Sequence, residues 1–183
     1  MSDKNYTSYY GVTDLYINGE IVAPMEPILF DDVLKVSNCQ RLMFENISVH
    51  AEGARENALD VNNNSKDISF HSSIFYGGKQ SSIVCKGASR LMINRCIIEA
   101  DPASSVDILV DDYSDQSKLP SDILIKDTVR SDGKPVRIAF GRYRYPRIIS
   151  TPHEICWFRT IGMHLYNHGK DLYAWLFNVK QSG

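Results

Sequence analysis

Residues 57–75, NALDVNNNSKDISFHSSIF, set three consecutive asparagines between two short runs rich in β-branched and aromatic residues. The same run, corner and run recur along the chain. Leu34, Leu59, Ile83 and Ile108 are spaced by 25, 24 and 25 residues, and two positions after each stands another apolar residue: Val36, Val61, Cys85 and Val110. Alternation with period two is a strand signature, and its return at a fixed interval marks a repeat architecture. Four residues after each leading position come Asn38, Asn63, Gly87 and Asp112, the residue types that best tolerate a left-handed backbone. The asparagine run is therefore read as a corner between two sheets, its side chains bonding locally, rather than as a ligand site.

After each corner the pattern predicts a second strand: RLMF at 41–44, DISF at 67–70, RLMI at 90–93 and DILI at 122–125. A fifth, weaker unit is read from Val136 and Ile138 followed by RII at 147–149. The leading charges alternate as Arg41, Asp67, Arg90, Asp122 and Arg147. Stacked at the roughly 4.8 Å spacing of neighbouring strands, they would form a column of opposite signs that resists a slip in register. Third strands are read at 47–49, 74–76, 96–100 and 128–131. The intervals carry no amphipathic helical pattern of the length a βαβ unit needs. The expected fold is all-β: a short right-handed parallel β-helix of about five coils, each burying its inward residues by stacking on its neighbours.

The 183 residues are read as a single domain, with an N-terminal cap over 1–32, coils over 33–150 and a C-terminal cap or interface over 151–183. Asn18-Gly19, lying between alternating residues of DLYINGEIVA at 14–23, predicts a β-hairpin over the first coil. The C-terminal segment 156–180 holds both tryptophans, is read as two strands around NHGKD, with a helix from Leu172 to Val179 as the alternative to strand there, and is expected to cap the last coil or join subunits.

A formal net charge of −2 favours neither DNA nor an anionic membrane as partner. The start, MSDKNYTSYYG, lacks the basic and hydrophobic regions of a signal peptide, so synthesis in the cytoplasm, without membrane insertion, is expected. Cys39, Cys85, Cys96 and Cys156 have no metal-binding spacing and are read as buried free thiols.

The units LKVSNCQRLMFENISV, LDVNNNSKDISFHSSIF and IVCKGASRLMINRCIIEA, with VDILVDDYSDQS and RSDGKPVRIAFGR after them, resemble the pectate-lyase-like right-handed β-helix superfamily, and in particular the non-catalytic β-helix proteins of bacteriophage virions and tails. The similarity covers about residues 30–150. It implies a structural or interaction module, virion-associated, assembling as a homotrimer, with a glycan or another virion protein as partner. Catalytic members of the superfamily hold Ca²⁺ on clustered aspartates and act on acidic polysaccharides. Here Asp111, Asp112, Tyr113 and Asp115, with Lys86 and Arg90 one coil earlier, form the nearest equivalent. Oxygen-rich clusters suit Ca²⁺, but Asn62 and Asn63 stand where a second aspartate pair would be needed. Asp111, Tyr113, Asp115, Lys86 and Arg90 are accordingly taken as ligand-binding candidates, no residue as catalytic, and no cofactor is required.

Asp60 and Asp107, on coils separated by another coil, are the nearest approach to a glycosidase pair and are read as surface charge, with no neighbour to raise a pKa. His50, His71, His153, His164 and His168 are read as surface or interface histidines. GRYRYPR at 141–147, which would place its arginines and tyrosines on opposite strand faces, is assigned to capping or an interface.

Overall fold

The computed structural model describes residues 4–19, 21–23, 25–111, 122–140, 147–148 and 156–158. Their strands wind into a parallel β-solenoid of about five turns. The first coil comprises β1 (Asn5–Tyr10), β2 (Thr13–Asn18) and β3 (Ile21–Val22). The second has β4 (Asp32–Ser37), β5 (Gln40–Glu45) and β6 (Ser48–Ala51). The third has β7 (Asn57–Asn62), β8 (Lys66–His71) and β9 (Ile74–Gly77), and the fourth β10 (Ser81–Lys86), β11 (Ser89–Asn94) and β12 (Ile97–Glu99). The fifth has β13 (Ile108–Asp111), β14 (Ile123–Lys126) and a parallel bridge from Ile97 to Val129 in place of a third strand. β15 (Arg137–Phe140) stacks on β13. First, second and third strands collect into sheets A, B and C.

The register places Thr7, Leu34, Leu59, Ile83, Ile108 and Ile138 in one column. From Leu34 onward every member is 0 % exposed, so the repeat read from the sequence is the interior stack. Sheet B contributes Leu42, Ile68 and Leu91, and beside them an aromatic series. Tyr9 meets Phe44 edge-on at 5.5 Å, Phe44 stacks on Phe70 at 4.9 Å, and Phe70 meets Phe75 edge-on at 5.3 Å. Offset and edge-on rings at these separations add roughly 0.5–1.5 kcal/mol per pair beyond their buried area.

Three columns of positive φ shape each coil. The corner between sheets A and B has Gly11, Asn38, Asn63 and Gly87; that between B and C has Gly19, Asn46, Ser72, Arg95 and Asp127. A kink at the second residue of β2, β5, β8 and β11 falls at Asp14, Arg41, Asp67 and Arg90, and its counterpart Asp122 directly precedes β14. All lie between φ 48° and 72°. Amides at the corners donate to the next coil, as Asn38 N does to Asn62 O and Asn46 N to His71 O, so stacking satisfies the backbone where the strands break. Small inward side chains complete the bonding. Ser73 Oγ donates to His71 O and accepts from Ile47 N, Thr128 Oγ1 does the same for Lys126 O and Cys96 N, and Cys96 Sγ donates to Asn94 O. Cys39, Cys85 and Cys96 are buried and free, two of them acting as such corner donors. The side chain of Cys156 lies outside the described residues.

Two sequence expectations are corrected. Asn18-Gly19 does not close a hairpin: β2 pairs in parallel with β5 and β3 with β6, so 5–22 is the first coil rather than a separate cap. The glycine's φ of +72° serves a solenoid corner. At the other end β16 (Arg147–Ile148) turns back antiparallel on β15 within sheet A, and β17 (Cys156–Phe158) lies antiparallel on β14 within sheet B. Arg147 and Ile148 therefore do not belong to the second strand of another coil, and residue 149 lies outside the described residues. The helix alternative at 172–179 falls outside the described residues.

Candidate functional site on the outer face of sheet A

An exposed sheet alternates buried and solvated residues, but β7 and β10 are buried at every position. The outward column running Lys35, Asp60, Val84, Leu109, Ala139 includes a small apolar group of Val84, Leu109 and Ala139, with Val106, separate from the interior core. Its other part is polar. Lys35 Nζ lies 3.4 Å from Asp60 Oδ2 and 3.9 Å from Asp32 Oδ2. Asn62 Nδ2 donates to Asp60 Oδ2 at 2.7 Å, Asn57 Nδ2 to Asp32 Oδ1 at 2.8 Å, and Ser81 Oγ to Asn57 Oδ1 at 2.8 Å. Asp60 and Asn62 are buried, yet among the described residues Asp60 Oδ1 and Asn62 Oδ1 have no hydrogen-bond donor.

Burial raises both carboxyls. For Asp60 it outweighs the opposing Lys86 and Lys35 charges and the Asn62 bond. For Asp32 burial, with the Asp60 charge added, pushes the pKa to about 7 against the Asn57 bond and the Lys35 charge. One ammonium thus sits between two carboxyls that resist ionisation, an arrangement suited to holding or passing a proton near neutrality.

Among the ligand candidates from the sequence, Lys86 and Asp111 are register partners on adjacent coils, and Lys86 is 7 % exposed. Arg90 lies beyond the corner in sheet B, where its guanidinium donates to both oxygens of Asp67. Asp112, Tyr113 and Asp115 lie outside the described residues. Among the described residues no group of three or more acidic, histidine or cysteine side chains could hold a metal ion.

Asp60 and Asp107 are not surface charges: they are 1 % and 0 % exposed. Nor are they aligned, because Asp60 stacks toward Leu109, two residues past Asp107. Arg137 grips Asp107 through Nε and Nη2 at 2.9 and 2.7 Å, while the Ala100 and Arg137 amides donate to it as well. That network ties the last coil together. His50 is exposed, and His71 Nδ1 lies 3.3 Å from Asn94 Nδ2; His153, His164 and His168 fall outside the described residues.

The charge column is real in Arg41, Asp67, Arg90 and Asp122, but its remaining member is Asp14, not Arg147. Asp14 accepts from Arg41 Nε and Nη2 at 2.5 and 2.8 Å, whereas Arg147 pairs with Ile138 in sheet A. The Asp32–Lys35–Asp60 group was missed from the sequence although Lys35 and Asp60 each directly follow a leading leucine. That spacing was the available signal.

Fold and site together define a short parallel β-solenoid with a buried polar cluster on one sheet. Compared with family models, curated proteins and solved structures, the chain has no match.

Proposed function

We propose that the protein is a non-catalytic interaction module of a multi-protein particle, the virion-associated role that the β-helix resemblance implies. One observation carries this reading. The solenoid's two ends differ: sheets A and B finish in antiparallel strands β16 and β17, while β1, β2 and β3 are the terminal strands of their sheets at the other end. Among the described residues that edge is open over a half-covered core, which suits a chain built to sit against something else. The test is proteomic and genetic: purified particles from the encoding organism should contain the chain in fixed stoichiometry, and deletion should impair their assembly or host attachment. Particles that lack the chain and form normally without it would refute the role.

A second reading, action on or binding of an acidic polysaccharide, is favoured by the Asp32–Lys35–Asp60 cluster. A degradation screen with and without Ca²⁺, alongside a glycan array, tests it; product formation abolished by Asp60→Asn would replace the non-catalytic reading.

A further inference from the structure

Among the described residues the first coil is uncovered on one side. Tyr9, Leu15 and Ile17 are half-buried, whereas Val36, Leu42 and Phe44, the residues stacked beneath them, are 0–1 % exposed. Around them Tyr6, Tyr10 and Tyr16 are 46, 74 and 55 % exposed. Among the described residues no strand lies on the outer edges of β1, β2 and β3. Unpaired strand edges beside an apolar surface are a template for added strands.

The charge column says what kind of strand fits. From the open end it runs Asp14, Arg41, Asp67, Arg90, Asp122, and two of its pairs are joined by bidentate hydrogen bonds. Both oxygens of Asp14 are engaged by Arg41, and continued alternation places a cation on the next rung outward, attracted to Asp14 through charge as Arg41 is to Asp67. With five rungs the column begins and ends on an aspartate, so a second copy stacked head to tail would set Asp122 against Asp14, and β17 already occupies the edge of β14. Two copies meeting at their open ends would pair strands antiparallel and carry no column forward. Like charges placed opposite one another disfavour association.

We infer that the open first coil is a docking edge for a different, strand-bearing partner that presents an arginine or lysine at the rung beyond Asp14, with apolar residues over Tyr9, Leu15 and Ile17. This rests on the interaction-module reading and gives that reading a chemistry.

The probe is a labelled synthetic peptide copying residues 32–45, DVLKVSNCQRLMFE, the stretch that presents Arg41 at this rung. It is titrated into the full chain by fluorescence anisotropy, beside a peptide carrying Arg41→Asp. Saturable binding is expected, weakened about three- to tenfold by the acidic rung and to a similar degree by Asp14→Asn in the protein. Asparagine tolerates the left-handed backbone, and an unchanged melting temperature shows that the variant is folded. Hydrogen exchange should show new protection at β1 and β2, and sedimentation should show the chain alone as unassociated through this end. Equal binding of the two peptides, protection elsewhere, no saturable binding at millimolar peptide, or self-association through β1 and β2 would each overturn the inference. None of these outcomes bears on whether purified particles contain the chain, so the two ideas fail separately.

Discussion

Gly53 and Gly78 separate two costs that a glycine substitution usually mixes. Both have positive φ, +82° and +88°. A Cβ at Gly53 would meet nothing within 4 Å, whereas at Gly78 it would fall 2.3 Å from Ser81 O, 2.9 Å from Asn57 Cα and 3.0 Å from Ala58 N. Those neighbours are backbone atoms of strands that are buried throughout, so no rotamer change relieves the overlap. Gly53→Ala should lose about 1–2 kcal/mol to backbone strain and regain about 0.4–1 kcal/mol because the unfolded chain has less freedom to lose. The net cost is about 1 kcal/mol. Gly78→Ala adds the displacement of packed strands, about 1–3 kcal/mol for overpacking even where side chains can adjust, and should lose about 2–4 kcal/mol. With a urea slope of about 2 kcal/mol/M, the midpoint should fall by about half a molar for Gly53→Ala and by at least about one molar for Gly78→Ala, measured by far-UV circular dichroism. Equal shifts would refute the close approach of the third and fourth coils at this corner. That approach sets where β10 begins relative to β7, the strand that carries Asp60.

Phe70→Ala empties the centre of the aromatic series and should cost about 3–5 kcal/mol by denaturation, while Met43→Ala, 42 % exposed on sheet B, should cost far less. Asp32 is raised in the folded state, so its contribution to stability is fully present below the unfolded pKa near 4 and is lost as pH rises through about 7. Urea midpoints should therefore fall from pH 4 to pH 8, and Asp32→Asn, which can still accept from Asn57, should flatten that slope. Asp67→Lys would place three cations in succession along the column; its melting temperature should drop at low salt and partly recover in about 1 M sodium chloride, whereas Asp67→Asn should show little salt dependence. Asp107→Ala leaves Arg137 and two amides without their buried acceptor and should cost about 3–5 kcal/mol, with early loss of hydrogen-exchange protection in β15.

The interior of the solenoid was legible because its signals are local and repeated. A leading aliphatic residue, a second apolar residue two positions on and a left-handed corner four positions on are set by strand period and backbone sterics, and stacking multiplies them. The first coil obeys the same spacing in Thr7, Tyr9 and Gly11, but threonine and tyrosine make a faint apolar signature. Asn18-Gly19 misled for a related reason. A glycine with positive φ between two alternating runs serves a hairpin and a solenoid corner alike, and the choice lies in whether Leu15 finds its partner across the turn or 27 residues away at Leu42. Arg147 continued the alternation of signs but not the topology, because strand direction reverses after β15. The polar cluster was hidden by an assumption of exposure: outward residues of a sheet were taken as solvated, so Lys35 and Asp60 were not weighed as buried neighbours.

The kink column ties these observations to the proposed role. Asp14, Arg41, Asp67, Arg90 and Asp122 all occupy a left-handed conformation that glycine would adopt with less strain. Glycine at these positions would still bend the strand, but it would carry no sign and could not distinguish one coil from the next. Charged residues there accept the strain and give each coil an identity relative to its neighbours, so that a shift by one coil sets like charges together. A solenoid marked in this way has a defined order along its axis, and because the described column has five rungs, it begins and ends on an aspartate, a pattern that disfavours head-to-tail stacking of copies. On the proposed role, the open end would discriminate among strands by charge before any apolar contact forms, the property a particle component needs to join a partner rather than polymerise.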